Sequence, residues 1–239
     1  MPADRLLRVL KRLAVDDGTG AAPRLCAVCA EITEMSGAGI MLLTGDRPRG
    51  SVCTTDEVSA QIEDLQYTLG EGPCVDAHRQ HVPVIEPDLA SPTVVRWAAF
   101  SRSAVAAGAR AVFGFPIAAG EVRVGALNLY RDQPGPLTAD QHADALVVAD
   151  VAARSIIAMQ AAARPGELPV DFEAGNNFRF VVHQATGMVS VQLGVSVDEA
   201  LVRLRAYAFS HDETVIRVAH LVVARTLRFD PVVDDPPIV

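Results

Sequence analysis

The chain has 239 residues, half of them apolar, and a formal net charge of −8. This length is typical of two domains, and the negative charge excludes a general cationic coat, so any nucleic-acid site must be a local patch. No signal peptide is predicted, because Arg5, Arg8, Lys11 and Arg12 interrupt the first apolar residues. No apolar run reaches membrane-spanning length. We therefore expect a cytoplasmic protein that has no membrane partner and keeps its four cysteines as thiols.

An N-terminal helix is predicted within residues 1–19. Leu6, Val9, Leu10 and Leu13 recur there at helical spacing, and the charged residues lie on the other face. This helix could pack on its own domain or form half of a dimer seam, and its pattern favours neither.

Residues 20–163 predict an α+β domain, an antiparallel sheet covered by helices. The predicted elements are a helix over 23–35, strands over 38–45 and 50–55, helices over 56–67 and 73–81, a strand over 82–86, a helix from 91 to 107, strands over 109–120 and 121–132, and a helix over 138–163. Capping signals support three of the helix starts: Thr54 with Glu57, Ser91 before Pro92, and Thr138 with Gln141.

The C-terminal part is predicted to be all helical. Residues 164–175 combine Pro, Gly and acids and indicate a linker. Residues 176–230 predict three short helices, and residues 231–239 a loosely docked tail. The helix boundaries are indicated by a C-cap at Gly194 and by capping boxes at Ser196 with Glu199 and at Ser210 with Glu213.

Two stretches resemble known domains. Residues 20–160 resemble a GAF domain in TDEVSAQIEDLQYTLGEGPCVDAH, VIEPDL, RWAAF and GALNLYRDQPGPL. Residues 176–230 resemble an ANTAR domain in Gln184-Ala185, Gly187-Met188, LGVSVDEALVRLRAYA and Val218-Ala219. Together they resemble the actinobacterial GAF-ANTAR regulators in the same domain order.

The resemblance implies a fold class and a function. The fold would be an α+β GAF domain followed by an all-α three-helix ANTAR bundle. The protein would be a transcription antitermination regulator: a homodimer whose GAF domain senses a small-molecule ligand and whose ANTAR bundle binds stem-loops in RNA leaders. It would carry no cofactor and would not be an enzyme.

The RNA contacts are predicted from the ANTAR resemblance and from the donors that RNA recognition needs. The candidates are Gln184, Gly187, Arg203, Arg205, Ser210 and Arg217. Here the sequence departs from the family, which usually has Lys at the position of Thr186 and Asn or basic residues around Asp212 and Glu213. Six arginines against five acids leave 176–230 with a net charge of only +1. These departures favour an alternative, a protein–protein adaptor that has lost RNA binding.

A ligand pocket over the sheet is the second predicted site. Its candidates are Trp97, Phe113 and Phe115, with Asn128 or Cys53 as polar anchors; the alternative is a filled core. Cys74 follows a Gly-rich turn at a predicted helix start, a position that lowers a thiol pKa. It is therefore a candidate for ligand binding or for the chemistry of a GAF thiol reductase, the third hypothesis.

Metal binding is not predicted. Cys26, Cys29, Cys53 and Cys74 could form a thiolate site, but without a second CxxC pair we expect buried, inert thiols. His78 and His81 have ligand spacing, although an exposed helical pair is the simpler interpretation. No catalytic constellation is found.

Overall fold

The structure is a computed structural model that describes residues 2–15, 18–45, 47–91, 96–162, 173–211 and 213–230. Its chain divides into two compact units, Met1–Asn176 and Asn177–Val239. Most of the predicted linker 164–175 and all of the tail 231–239 lie outside the described residues. No helix in the described part of the chain is long and apolar enough to cross a membrane.

Five strands of the first unit form a single antiparallel sheet. They are β1 Gly37–Thr44, β2 Arg47–Thr54, β3 Val84–Glu86, β4 Ala111–Ala119 and β5 Val122–Arg131. Their order across the sheet is β2-β1-β5-β4-β3, so the central strand is β5. The runs of β1, β4 and β5 are largely apolar, and most of their residues are buried because helices cover both faces of the sheet.

Two helical layers enclose the sheet. The helices of this unit are α1 Pro2–Leu13, α2 Ala21–Thr33, α3 Glu57–Leu69, α4 Pro73–Gln80, α5 Ala98–Ala107 and α6 Ala139–Ala162. The helices α2 and α6 pack on one face, with α1 against them, and they share a core with the strands. On the opposite face α3 and α4 pack on the strands and α5 packs on α3.

The N-terminal helix packs on its own domain. Val9 is buried in the core shared with α2 and α6. Arg5 and Arg8 each approach the Asp144 carboxylate of α6 at 2.6 Å. Leu6 and Leu10 are exposed, so the dimer seam stays a prediction.

Most predicted elements are present, but some of their starts differ. The Thr138–Gln141 capping box is confirmed. The backbone N–H of Gln141 donates to Thr138 Oγ1 at 3.1 Å, and the backbone N–H of Thr138 donates to Gln141 Oε1 at 3.0 Å. The box predicted at Thr54 with Glu57 is wrong: Thr54 still belongs to β2. The α3 helix is capped by Asp56, with Ser59 as its reciprocal partner.

The helix predicted from residue 91 begins only at Ala98. Trp97 has a left-handed backbone with φ 50°, and an α-helix cannot pass through that conformation. The residues after Ser91 and before Arg96 lie outside the described part of the chain. The proline signal thus located the region of the helix correctly but not its first turn.

The expectation of four free thiols is wrong. Cys26 of α2 and Cys53 of β2 form a disulfide with a Cα–Cα distance of 6.0 Å, while Cys29 and Cys74 are free and buried. Cys26 lies on the face of α2 that packs on the sheet, and Cys53 points to the same side from β2, so the fold brings the two sulfurs together. The reducing conditions of the cytosol do not indicate which cysteines the fold places next to each other.

Three helices follow in the described C-terminal residues: α7 Glu173–Leu193, which begins just before the boundary between the two units, α8 Val197–Ser210 and α9 Val215–Val223. Gly194 has φ 67°, as predicted. The Ser196 side chain caps α8 by accepting from the Glu199 backbone amide, but the Glu199 carboxylate pairs with Arg203, so only half of the predicted capping box is present. The box predicted at Ser210 with Glu213 is wrong, since α8 continues through Ser210 and Thr214 caps α9. Six apolar residues of these helices are fully buried: Ala185, Ala200, Leu204, Ala208, Val218 and Ala219.

Breaking the Cys26–Cys53 crosslink should destabilise the first unit. A disulfide that closes a loop with a sequence separation of 27 contributes about 3 kcal/mol by restricting the unfolded chain. Urea unfolding with and without a reducing thiol measures this contribution. Cys53→Ser is the control, and the reductant should not change its midpoint. An equal effect of the reductant on both proteins would contradict the crosslink.

Candidate functional site

The sheet separates the predicted ligand-binding residues into two groups. Phe113, Phe115 and Cys53 lie on the α2/α6 face, where both phenylalanines are fully buried and Cys53 is bonded to Cys26. Asn128 and Cys74 lie on the opposite face, below α3 and α4. Successive residues of a strand face opposite sides, and the sequence did not reveal which alternate set faced α3. The predicted grouping of Phe113, Phe115 and Cys53 with Trp97 is therefore wrong.

A buried polar cluster occupies the α3/α4 face. It consists of Glu63 and Gln66 from α3, Cys74 from α4 and Asn128 from β5, and we call it the Glu63 cluster. The Cys74 amide donates to Gln66 Oε1 at 2.7 Å. Both Glu63 oxygens, both polar atoms of the Asn128 amide and Gln66 Nε2 are buried without a hydrogen-bond partner. Such groups are rare in folded proteins and need a specific explanation.

Two glycines in the sheet make room for this cluster. Asn128 pairs with Gly39 on β1 and with Gly114 on β4. A Cβ at position 39 would lie 2.8 Å from Glu63 Oε1, and one at position 114 would collide with the carbonyl oxygen of Pro73. The bare backbone on both sides of Asn128 therefore allows α3 and the start of α4 to approach the sheet closely.

The Glu63 carboxyl is held in its neutral form. Glu63 is 4% exposed, and desolvation raises its pKa to about 8. Ser51 and Asn128 partly offset this rise, although neither makes a hydrogen bond of ordinary geometry with the carboxyl oxygens. Near neutral pH the group is mainly a protonated acid, able to donate one hydrogen bond and to accept others.

Cys74 does not have the properties of a reactive thiol. Burial raises its pKa well above the usual range, the nearby Glu63 carboxyl adds to the rise, and the neighbouring Gln66 side chain opposes it. The predicted lowering by the helix start is outweighed by desolvation. Burial also raises the pKa of the other free thiol, Cys29, to about 12. Both cysteines remain protonated at neutral pH, and a thiol is a poor nucleophile.

Trp97 takes part in a separate set of contacts above the same face. Its indole N–H donates to Asp76 Oδ2 at 2.9 Å, and the Arg96 guanidinium lies 4.5 Å from the ring centroid. The ring meets Phe100 edge to face at 6.3 Å. Trp97 is therefore placed by α4 and α5 rather than by the strands.

The interpretation of His78 and His81 as an exposed pair is wrong for His78. That side chain is buried, with Nε2 at 2.9 Å from the Gly45 carbonyl oxygen and Nδ1 at 3.3 Å from that of Gly125. His81 is exposed and has a left-handed backbone. Among the described residues, no group of three or more His, Cys, Asp or Glu side chains is arranged to hold a metal ion.

Sequence reasoning missed Glu63 and Gln66. In EVSAQIEDLQYTL the polar residues outnumber the apolar ones and resemble a solvated helix face. Gly39 and Gly114 offered an indirect signal, since a glycine inside a strand often marks a close approach of other atoms. That signal gives the place of the approach but not the residue that makes it.

The candidate RNA contacts lie on the second unit. Gln184, Arg203 and Arg217 are exposed and Arg205 is half-buried. Arg203 pairs with Glu199 at 2.9 Å and Arg217 with Glu213 at 2.7 Å, each one helical turn away. Two of the candidate cations are thus partly neutralised within their own helices.

The remaining candidates lie at open positions. A Cβ added at Gly187 would meet no atom within 4 Å, so the glycine is not required by a helix contact among the described residues. Ser210 is exposed, and its hydroxyl donates to the Tyr207 carbonyl oxygen at 3.0 Å. Thr186 faces the core and donates to the Val182 carbonyl oxygen at 2.7 Å, so its side chain is not on the RNA-accessible surface. Asp212 lies outside the described residues.

The first unit is an α+β domain with helices on both faces of its sheet and buried polar groups beneath one helical layer. Residues 19–156, more than half of the chain, match the sequence model of the GAF domain, and the chain belongs to the GAF domain family. GAF domains are small-molecule-sensing signalling domains. No curated protein matches the sequence.

Solved structures with a similar fold have low sequence identity. The GAF domain of an Acinetobacter phosphoenolpyruvate-protein phosphotransferase is 13% identical, with a TM-score of 0.49, over 67% of this chain and 96% of that one. The corresponding domain from Coxiella burnetii is 13% identical, with a TM-score of 0.49, over 67% and 95%. A type II free methionine-R-sulfoxide reductase from Thermoplasma acidophilum is 16% identical, with a TM-score of 0.39, over 56% and 90%.

Replacing Glu63 by Gln should flatten the pH dependence of stability. The carboxyl has a pKa of about 8 when folded, against an ordinary value of 4.5. Between these values the folded state holds a proton that the unfolded state has released, so the wild-type free energy of unfolding falls as pH rises. The Gln variant lacks this titration. Its free energy of unfolding, relative to that of the wild type, should therefore rise by on the order of a few kcal/mol as the pH approaches the folded-state pKa of Glu63.

Urea unfolding at several pH values across this window measures the difference. Glu121→Gln, in the exposed turn between β4 and β5, is the matched control and should keep the wild-type slope. An identical slope for wild type and Glu63→Gln would show that Glu63 is charged in the folded state.

Proposed function

We propose that the chain is a signal-responsive regulator of transcription that acts by antitermination. In this proposal the GAF unit binds a small ligand at the Glu63 cluster, and the three C-terminal helices bind stem-loops in nascent RNA. The protein acts as a cytoplasmic homodimer. The exposed Leu6, Leu10 and Leu146 on α1 and α6 give a second copy an apolar surface to pack against.

The proposal of RNA binding is supported by which side chains of the second unit are buried and which are exposed. The apolar residues Ala185, Val218 and Ala219, which carry part of the ANTAR resemblance, are fully buried. Gln184, Arg203, Ser210 and Arg217 are exposed. Exposed amide, hydroxyl and guanidinium donors are the groups that RNA loops and phosphates accept. Thr186 is buried, so having threonine where the family usually has lysine does not remove a cation from the surface of this unit.

The ion pairs of Arg203 and Arg217 set the strength of binding. Each phosphate must compete with a carboxylate that already holds the guanidinium, so a single bundle binds RNA weakly and in a salt-dependent manner. Two bundles on one dimer that engage two stem-loops raise the affinity through effective concentration.

A protein–protein adaptor is the second candidate. Val191, Val202 and Phe209 are exposed on α7 and α8, and apolar side chains of this size suit a protein partner. A thiol reductase is less favoured, because the Cys74 thiol is buried and protonated. We therefore propose a binding protein without catalytic activity.

A titration of the full chain against a two-stem-loop RNA leader at low and high salt tests the proposal. Salt-sensitive binding that Arg205→Ala weakens, with the fold retained, supports the regulator. A folded protein that shows no binding at low salt would direct the search to protein partners.

Removing the acid that competes for Arg217 should strengthen RNA binding. We expect Glu213→Gln to raise affinity several-fold at low salt and little at high salt, since a freed guanidinium adds about one phosphate contact. Asp150→Asn is the control, because it breaks a similar one-turn pair, with Arg154 of α6, in the other unit. Fluorescence anisotropy with labelled RNA measures both. Equal affinity for Glu213→Gln and the wild type would show that Arg217 does not contact RNA.

A further inference from the structure

The Glu63 cluster contains five buried polar atoms that lack a hydrogen-bond partner. They are three oxygens, Oε1 and Oε2 of Glu63 and Oδ1 of Asn128, and two amide nitrogens, Nε2 of Gln66 and Nδ2 of Asn128. These side chains come from two elements, the helix α3 and the strand β5, which converge where Gly39 lacks a Cβ. Several buried groups that miss a partner at one place indicate a molecule that supplies it.

The charges around these atoms restrict what that molecule is. The groups that act on the Glu63 carboxyl are the Ser51 hydroxyl and the Asn128 amide, together with burial itself, and none of them is a cation. An anionic ligand would place a second negative charge beside an acid that is already costly to ionise. A ligand with several N–H donors and a positive charge would satisfy the oxygens and compensate the carboxylate at once.

We propose that the Glu63 cluster binds a compact organic cation, a primary ammonium or amidinium group, whose N–H groups donate to the Glu63 carboxylate and to the Asn128 amide oxygen. This names the ligand class of the sensing site and rests on the proposed sensing function. The cation exchanges for the carboxyl proton: the Glu63 O–H bond breaks, the proton leaves to solvent, and the carboxylate accepts N–H hydrogen bonds from the ligand.

The exchange makes binding depend on pH. A carboxyl that is protonated near neutral pH must ionise to pair with the cation, so affinity rises with pH as ionisation becomes easier. Burial raises the pKa of Glu63 to about 8, which puts this rise in the range just below that value. The half-buried Asp64 is adjacent in sequence, and burial raises its pKa only to about 6, so it completes its titration at lower pH.

Methylammonium is the probe, and tetramethylammonium, which has the same charge but no N–H donor, is its control. Binding to the full chain is followed by thermal shift and by calorimetry from about pH 6 to about pH 8. We expect methylammonium to bind with an affinity that rises up to tenfold per pH unit, as one released proton requires. Tetramethylammonium should not bind.

Two variants separate a site at Glu63 from a general charge effect. Glu63→Gln keeps the shape of the neutral acid and should lose at least tenfold in methylammonium affinity together with the pH slope. Asp64→Asn removes the adjacent carboxyl and should retain both. Absence of methylammonium binding, equal binding of both cations, or unchanged binding by Glu63→Gln would each overturn the proposal.

RNA affinity measured on the same preparations separates this proposal from the function it rests on. A protein that binds RNA but does not bind methylammonium would overturn the proposed ligand class and leave the RNA-binding function standing. Methylammonium binding that depends on Glu63, in a protein that does not bind RNA, supports the ligand class and contradicts only the RNA assignment.

Discussion

Burial of the Glu63 carboxyl between α3 and the sheet is the constraint on which the packing of the α3/α4 face depends. The side chain reaches this place because Gly39 has no Cβ, and its neighbours Ser51 and Asn128 carry no positive charge. Desolvation therefore determines its protonation state, and its neutral form is what makes the packing tolerable. The same acid also raises the pKa of the buried Cys74, so one carboxyl affects the electrostatics of both α3 and α4.

In the second unit, two exposed arginines are balanced by nearby acids. Arg203 and Arg217 are held by acids one turn away, which keeps the helical surface nearly neutral. Exposed ion pairs of this kind contribute little to stability, so their main effect is on what the arginines can bind.

The fold was predictable from the sequence where local patterns determine it. Two long apolar runs indicated the β4–β5 hairpin, and the Thr138–Gln141 capping box indicated the start of α6, because turn and cap chemistry act over a few residues. The phase of each strand was not predictable, since β4 and β5 are apolar on both faces. Phe113 and Phe115 were therefore assigned to the wrong layer.

The candidate site was predictable only in part, through Asn128 and Cys74. Glu63 occupies a helix whose composition indicates solvent exposure, and only the tertiary approach to Gly39 buries it. The Cys26–Cys53 bond depends likewise on how α2 lies on β2.

The most direct test is the infrared carbonyl band of a protonated carboxyl, recorded as the difference between wild type and Glu63→Gln. We predict a band near neutral pH that disappears with a midpoint of about 8. The absence of this band at neutral pH would show that Glu63 is ionised in the folded protein, which would contradict the account.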